Sequence, residues 1–258
     1  MTQVPKEHVR QGFISAAAET FAELGFAATT MADVAQRAGS SVGNLYKYFT
    51  GKQQLFDAAV PPELVQELTR RTRARIRALG AAKDVRDATA EYHAVSGDLL
   101  DYCLRHRTAV VIVLTRAEGT PFADFSDKFV EKLSEWALDY ARLTYPQLQP
   151  SPLFRFVLRR AYQAFVASLA AALRQFPDEA EARLAVGLFT TQHQAGLKRL
   201  FESQGEPNAQ SHHSGEPSIV ANAAGSRARN ARATDANSGA PRPGAGQANR
   251  PRRPRRRS

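Results

Sequence analysis

The sequence has a single cysteine, Cys103, in 258 residues. One thiol cannot close an internal disulfide or build a thiolate cluster, which argues against a secreted stapled scaffold and a cysteine-based zinc module. Long apolar runs are missing as well: the longest stretches, 109–114 and 164–173, fall far short of the ~20 residues that cross a bilayer. The first residues, Met1-Thr2-Gln3-Val4-Pro5-Lys6-Glu7-His8, lack the apolar centre of a signal sequence. These absences predict a soluble protein of the reducing cytoplasm with no membrane partner. Metal chemistry lacks its spacing: His8, His93, His106 and His193 are scattered, no His-Glu-x-x-His occurs, and Asp98-x-x-Asp101 beside His106 fits a solvated helix face. With no paired acid and base and no activated nucleophile, neither an enzyme nor a cofactor is implied. Gly39-Ser40-Ser41-Val42-Gly43 matches the Gly-x-Ser-x-Gly nucleophile turn, but that turn needs a strand before it and helical periodicity precedes it here.

What is present is a basic and strongly helical pattern. The net charge of +10 is uneven: residues 204–258 hold ten Arg against Glu206, Glu216 and Asp235, so +7 of it lies in the last 55 residues. Bulk basicity therefore does not reveal what the rest of the chain does. The same segment has six Gly, six Pro and no aromatic residue, too little apolar surface to offset its ordering entropy, and is expected to be a disordered tail. Its end, Arg250-Pro251-Arg252-Arg253-Pro254-Arg255-Arg256-Arg257, can add nonspecific affinity for DNA by counterion release; a dispensable solvated extension is the plain alternative.

Before the tail the chain reads as helix after helix. Val9, Phe13, Ile14, Ala17, Phe21 and Leu24 form one helical stripe that stops at Gly25. Thr30-Met31-Ala32-Asp33 has the form of a capping box opening a helix from Met31 to Ala38. Gly39 stops that helix, and Ser41 caps the next, Val42 to about Tyr48. Thr50-Gly51-Lys52-Gln53 reads as a second capping box launching a helix that Pro61-Pro62 must kink or split. Further helices are expected near 84–105, 108–118, 122–144, 152–176 and 178–203. For Val110-Val111-Ile112-Val113-Leu114, rich in β-branched residues, a buried strand is the alternative.

Three helices in about 45 residues, the last two joined by a glycine turn, make a helix-turn-helix able to lay its third helix in the major groove. The run Thr29-Thr30-Met31-Ala32-Asp33-Val34-Ala35-Gln36-Arg37-Ala38-Gly39-Ser40-Ser41-Val42-Gly43-Asn44-Leu45-Tyr46-Lys47-Tyr48-Phe49, followed by Lys52 and Leu55, resembles the DNA-binding domain of the tetracycline-repressor (TetR/AcrR) family over about residues 8–56. Ser40 departs from the apolar residue more usual there. On residue chemistry, Ser41, Val42, Gly43, Asn44 and Lys47 are the candidates for base contact, being short or polar groups at the outward start of the third helix. Thr29, Thr30, Tyr46, Tyr48 and Lys52 carry donors around it, and the resemblance implies phosphate contacts among them. Tyr46 also fits a core position, Thr30 a cap and Lys47 a solvated charge.

The resemblance implies an all-α fold: residues 1–56 as the DNA-binding domain, 57–203 as a helical ligand-binding and dimerisation domain, and 204–258 as the tail. It implies double-stranded DNA, a small-molecule effector and a second copy of the chain as partners. A pocket could draw on Tyr92, Leu99, Cys103, Phe122, Phe125, Phe129, Trp136, Tyr162 and Phe165, with His93, Asp98 and Gln163 as orienting groups; ordinary core fits each of them too. Small and apolar residues on the last two helices, Ala161, Ala164, Ser168, Ala172, Val186, Phe189, His193, Leu197 and Leu200, suit a four-helix dimer interface, or an internal core. A ligand-released repressor is the function expected; an architectural protein that binds DNA mainly through its Arg tail is the alternative.

Overall fold

A computed structural model describes residues 3–81 and 91–205, and the Arg-rich tail lies outside the described residues. Among the described residues ten helices follow one another: α1 (Gln3–Leu24), α2 (Met31–Arg37), α3 (Val42–Leu45), α4 (Lys52–Ala59), α5 (Pro62–Ala81), α6 (Glu91–Arg105), α7 (Arg107–Thr115), α8 (Phe125–Thr144), α9 (Pro152–Gln175) and α10 (Glu179–Gly205). The described residues contain no strand.

The fate of 110–114 follows from its position. All six residues Ala109–Leu114 of α7 are buried, because α7 packs against α1, α8 and α9 at once. A helix enclosed on every side is apolar all round and shows no amphipathic period, so its sequence reads as readily for a buried strand. By contrast α8 turns one face inward, through Phe129, Val130, Leu133, Ala137, Leu138 and Ala141, the 3- and 4-residue spacing of an ordinary packed helix.

The helix boundaries have local causes. Gly25 ends α1 at φ +82°, a conformation that costs glycine little. Pro62 opens α5, so the Pro-Pro pair splits the helix, since a ring that suits a first turn cannot continue a preceding one. Ser151 caps α9 by accepting the Phe154 N–H at 3.1 Å. At Thr50 the expected capping box is displaced: α4 begins after Gly51 with no side-chain cap. Gln54 instead reaches back, its Oε1 accepting from the Thr50 N–H at 2.7 Å and the Thr50 hydroxyl at 3.2 Å.

Helix α9 is long and apolar enough, by length and composition, to match a membrane span. The sequence shows no such run because Arg155, Arg159 and Arg160 interrupt its first half. Phe154, Leu158, Tyr162, Val166, Ala170 and Leu173 of this helix are core residues, packed against α7, α8 and α10.

Candidate nucleic-acid interface

The first four helices close a small aromatic core. Phe13, Phe21, Leu45, Phe49, Leu55 and Phe56 are each at most 2% exposed and pack with Val34 and Ala35. Fully burying side chains of this size contributes roughly 1.5–3 kcal/mol each, so a rigid frame holds the α2–α3 turn.

That turn is fixed by hydrogen bonds at every step. Thr30 and Asp33 form the expected capping box: the Thr30 N–H donates to Asp33 Oδ2 at 2.8 Å, and the Asp33 N–H to Thr30 Oγ1 at 3.2 Å. The Thr30 hydroxyl also donates to Asp33 Oδ2, at 2.7 Å; this bond first, then that of the Thr30 N–H, holds the Asp33 carboxyl below its ordinary range, because both favour the charged form. At the other end of α2, Gly39 takes φ +62°, its N–H donates to the Gln36 carbonyl at 3.0 Å, and the Ser40 N–H to that of Ala35 at 2.9 Å. This paired closure is a Schellman motif. Two residues on, Ser41 Oγ accepts the Asn44 N–H at 3.1 Å and caps α3. Ser40, where an apolar residue is more usual, accepts the Asn44 side-chain amide at 3.0 Å.

Helix α3 is a single turn; Tyr46, Lys47 and Tyr48 continue it only as a turn, shorter than the helix to Tyr48 that the sequence suggests. Ser41, Val42, Gly43 and Lys47 are exposed, and Asn44 is half-buried against Ser40. Tyr46 is 52% exposed, while Tyr48 is half-buried with its ring 5.6 Å from Phe13. Thr30 lies at the surface within its cap.

Two of the candidate phosphate contacts are placed otherwise. Thr29 is 1% exposed, and its hydroxyl donates to the Gly25 carbonyl at 2.7 Å. The Lys52 ammonium donates to the carbonyls of Phe26, Ala27 and Thr29 at 2.7, 3.2 and 2.8 Å, and lies 4.5 Å from the Phe26 ring centroid. An ammonium has three N–H groups, so this arrangement uses all of them. Lys52 ties down the loop between α1 and α2, a role invisible in its sequence position beside a helix start. Arg37 is likewise spent within the fold, paired with Glu19 and Glu23 on α1.

The same loop meets the helical body beyond it. The Phe26 N–H donates to the Arg116 carbonyl at the end of α7, at 3.2 Å, and Phe56 joins Phe21 and Phe26 to Phe122, whose ring is 6.3 Å away.

The residues considered for a pocket do not converge on one cavity. Phe122 joins the Phe56 cluster, and Phe125 stacks on Phe129 at 5.3 Å. Burial pushes the Cys103 thiol up to about 12, leaving it protonated, and Leu99 packs at the core edge. Tyr92, Tyr162 and Phe165 gather elsewhere. The Tyr92 hydroxyl accepts from Arg75 at 2.7 Å and from Gln194, while His193 stacks on Phe165 at 4.1 Å and meets Tyr162 edge-on at 4.8 Å. His193 Nε2 is buried without a hydrogen-bond partner; burial first, then the Arg75 charge, holds its imidazole down to about 4. Trp136 lies apart, in a groove between α5 and α8. Of the orienting groups, Gln163 accepts from Arg160 at 2.9 Å, and His93 and Asp98 are exposed.

The last two helices present a different outward stripe from the one their small residues suggest. Ala172 is buried in the fold, and Ala161, Ser168, Val186, Phe189, His193, Leu197 and Leu200 are half-buried; internal contacts between α9 and α10 and with the core explain their apolar character. Of the named set only Ala164 is exposed. Large apolar side chains that face outward are Leu153, Phe156, Leu184 and Leu188, each at least 62% exposed. They recur at helical spacing, but a stripe on a helix packed on both sides is ambiguous until the internal side is known.

Residues 13–59 match the family described as bacterial regulatory proteins, tetR family. No curated protein matches the chain. Among solved structures, a tetR-family transcriptional regulator from Streptomyces coelicolor shares 20% identity, covering 79% of this chain and 91% of its own, with a TM-score of 0.33. NalD, the secondary repressor of the MexAB-OprM multidrug efflux pump in Pseudomonas aeruginosa, shares 18% over 72% of this chain and 96% of its own, TM-score 0.34. The fatty acid degradation regulator FadR from Bacillus halodurans shares 18% over 73% and 94%, TM-score 0.38.

Proposed function

The module of residues 13–59 belongs to the tetR family of bacterial regulatory proteins, and on that premise we propose that the chain is a sequence-specific, DNA-binding transcriptional repressor. In this reading residues 1–56 bind DNA, and residues 57–203 receive a small-molecule effector and pair with a second copy. The observation that carries it is the exposed edge Ser41-Val42-Gly43, held outward by the Gly39 turn and the Ser41 cap. Short side chains at the start of α3 let its backbone come close to base edges in the major groove. Asn44 is the main base reader. One of its amide N–H groups is occupied by Ser40, which leaves Oδ1 and the second N–H free for the two-point contact that distinguishes adenine. Lys47 reads beside it. Tyr46, Tyr48 and Thr30 grip phosphates, whereas Thr29 and Lys52 shape the loop that presents them.

A dimer would use the outward faces of α9 and α10, through Leu153, Phe156 and Ala164 on one and Leu184 and Leu188 on the other, since large apolar side chains left exposed mark an association surface. Two copies would place two α3 turns on one face of DNA, which a palindromic operator requires. Effector release would pass through the contact of Phe26 with Arg116 and of Phe56 with Phe122. These link the end of α7 to the loop that Lys52 fixes, so movement there alters the spacing of the paired readers.

Selection of bound sequences from a random DNA pool tests the reading. The wild-type chain should enrich a palindrome, and Asn44→Ala or Lys47→Ala should change the enriched bases within each half-site. Enrichment of no symmetric sequence, or an identical preference in both variants, would refute it.

A further inference from the structure

The groove at Trp136 lies apart from the Phe56–Phe122 and Tyr162–His193 clusters described above. It measures about 350 Å³ and runs between α5 and α8, lined by Arg73, Ile76 and Arg77 on one side and Trp136, Tyr140 and Leu143 on the other. Three properties set it apart from ordinary surface. Leu143 is 82% exposed, a large apolar side chain left in water at the groove's wall. Arg73 and Arg77 lie one helical turn apart, both exposed, and among the described residues neither forms an ion pair with a carboxylate; Arg73 rests instead 5.9 Å from the centre of the Trp136 ring. The acidic lining residue, Asp139, is paired with Arg142 at 3.2 Å.

The shape of the groove depends on one missing methyl group. A Cβ on Gly80 would stand 2.7 Å from Tyr140 Cδ2, so only glycine lets the Tyr140 ring lie against α5 and form the floor. Two cations without a carboxylate partner among the described residues, set over an aromatic and aliphatic floor, match one ligand chemistry, a carboxylate on an apolar body: the guanidinium fork takes the two oxygens and the ring faces take the hydrocarbon. A neutral apolar molecule would leave the guanidinium groups unused, and a small inorganic anion would leave the floor in water.

We propose that this groove is a binding site for a small amphiphilic carboxylate, seated with its head on Arg73 and Arg77 and its tail along Trp136, Tyr140 and Leu143. The proposal goes beyond the reading of the chain as a repressor, since the groove can be occupied whether or not occupancy alters DNA binding.

Trp136 is the only tryptophan of the chain, so its fluorescence reports on the groove alone. Titration of the full-length protein with octanoate should give a saturable change, and octanol should bind at least tenfold more weakly. Arg73→Gln with Arg77→Gln should weaken octanoate at least tenfold while helical circular dichroism is unchanged. Gly80→Ala, which displaces Tyr140 and leaves both cations in place, should also weaken it, and calorimetric titration checks both variants without relying on fluorescence. Absence of a saturable change, equal response to octanol, or undiminished affinity in the double variant would overturn the proposal. Operator binding measured on the same samples separates the two readings: retained DNA binding with no octanoate response defeats only the groove, and octanoate binding with no DNA preference defeats only the repressor.

Discussion

Replacing Lys52 with methionine keeps an unbranched side chain one heavy atom shorter and removes the charge with its three N–H groups. Two of the carbonyls it serves, those of Phe26 and Thr29, are in partly buried positions, and each bond of this kind is worth about 1 kcal/mol net when the donor keeps some contact with water. Loss of the cation above the Phe26 ring adds about 0.5–1 kcal/mol, for a total of about 2–3 kcal/mol. In a protein of this size that corresponds to a fall in Tm of roughly 5–10 °C, measurable by circular dichroism. The informative partner measurement is the dependence of DNA affinity on salt. Each lysine removed from a phosphate lowers the slope of log affinity against log salt by about 0.9, so a dimer gripping DNA with both Lys52 residues would lose about two. Lys52→Met should therefore lower Tm and leave the slope unchanged. A slope reduced by about two with an unmoved Tm would show that the ammonium leaves the loop for DNA and would refute the assignment.

Thr30→Ala removes the hydroxyl half of the capping box on α2, its bonds with the Asp33 carboxylate and the Asp33 N–H, while the Thr30 N–H keeps its own bond to Asp33, and should lower Tm by roughly 2–4 °C; an unchanged melting curve would mean that the hydroxyl is redundant. Leu184→Glu with Leu188→Glu puts charge on the outward face of α10 and should leave a monomer in sedimentation at micromolar concentration, where the wild type is expected to be a dimer; a persistent dimer would place the interface elsewhere. For His193, the folded imidazole sits at about 4 against 6.5 for the free group, so the folded chain binds fewer protons than the unfolded one. Its contribution is complete above pH 6.5 and is lost as pH falls toward 4, by up to about 3 kcal/mol. His193→Phe keeps the stacked ring against Phe165 and Tyr162, and urea denaturation across that range should show a shallower loss than in the wild type, in which His106, also depressed chiefly by burial, titrates in the same sense. Identical pH profiles would refute the role assigned to His193.

Much of the fold and the DNA-facing module could be read locally. The Thr30–Asp33 box, the Gly39 turn and the Ser41 cap are decisions made within five residues, where the chain's own donors, acceptors and allowed φ values suffice. The helical stripe through Phe13, Ala17 and Phe21 and the break at Pro61-Pro62 are of the same kind, and so is the family likeness of residues 13–59. What the sequence left open depends on partners far away along the chain. That α7 is a helix wrapped on all sides, that Lys52 spends its charge on carbonyls 23–26 residues earlier, and that Leu184 and Leu188 rather than Leu197 and Leu200 face outward were settled only by packing. A side chain's type states which bonds it can make, but which groups stand within reach is fixed when distant helices meet, and that information is not local to any stretch of sequence.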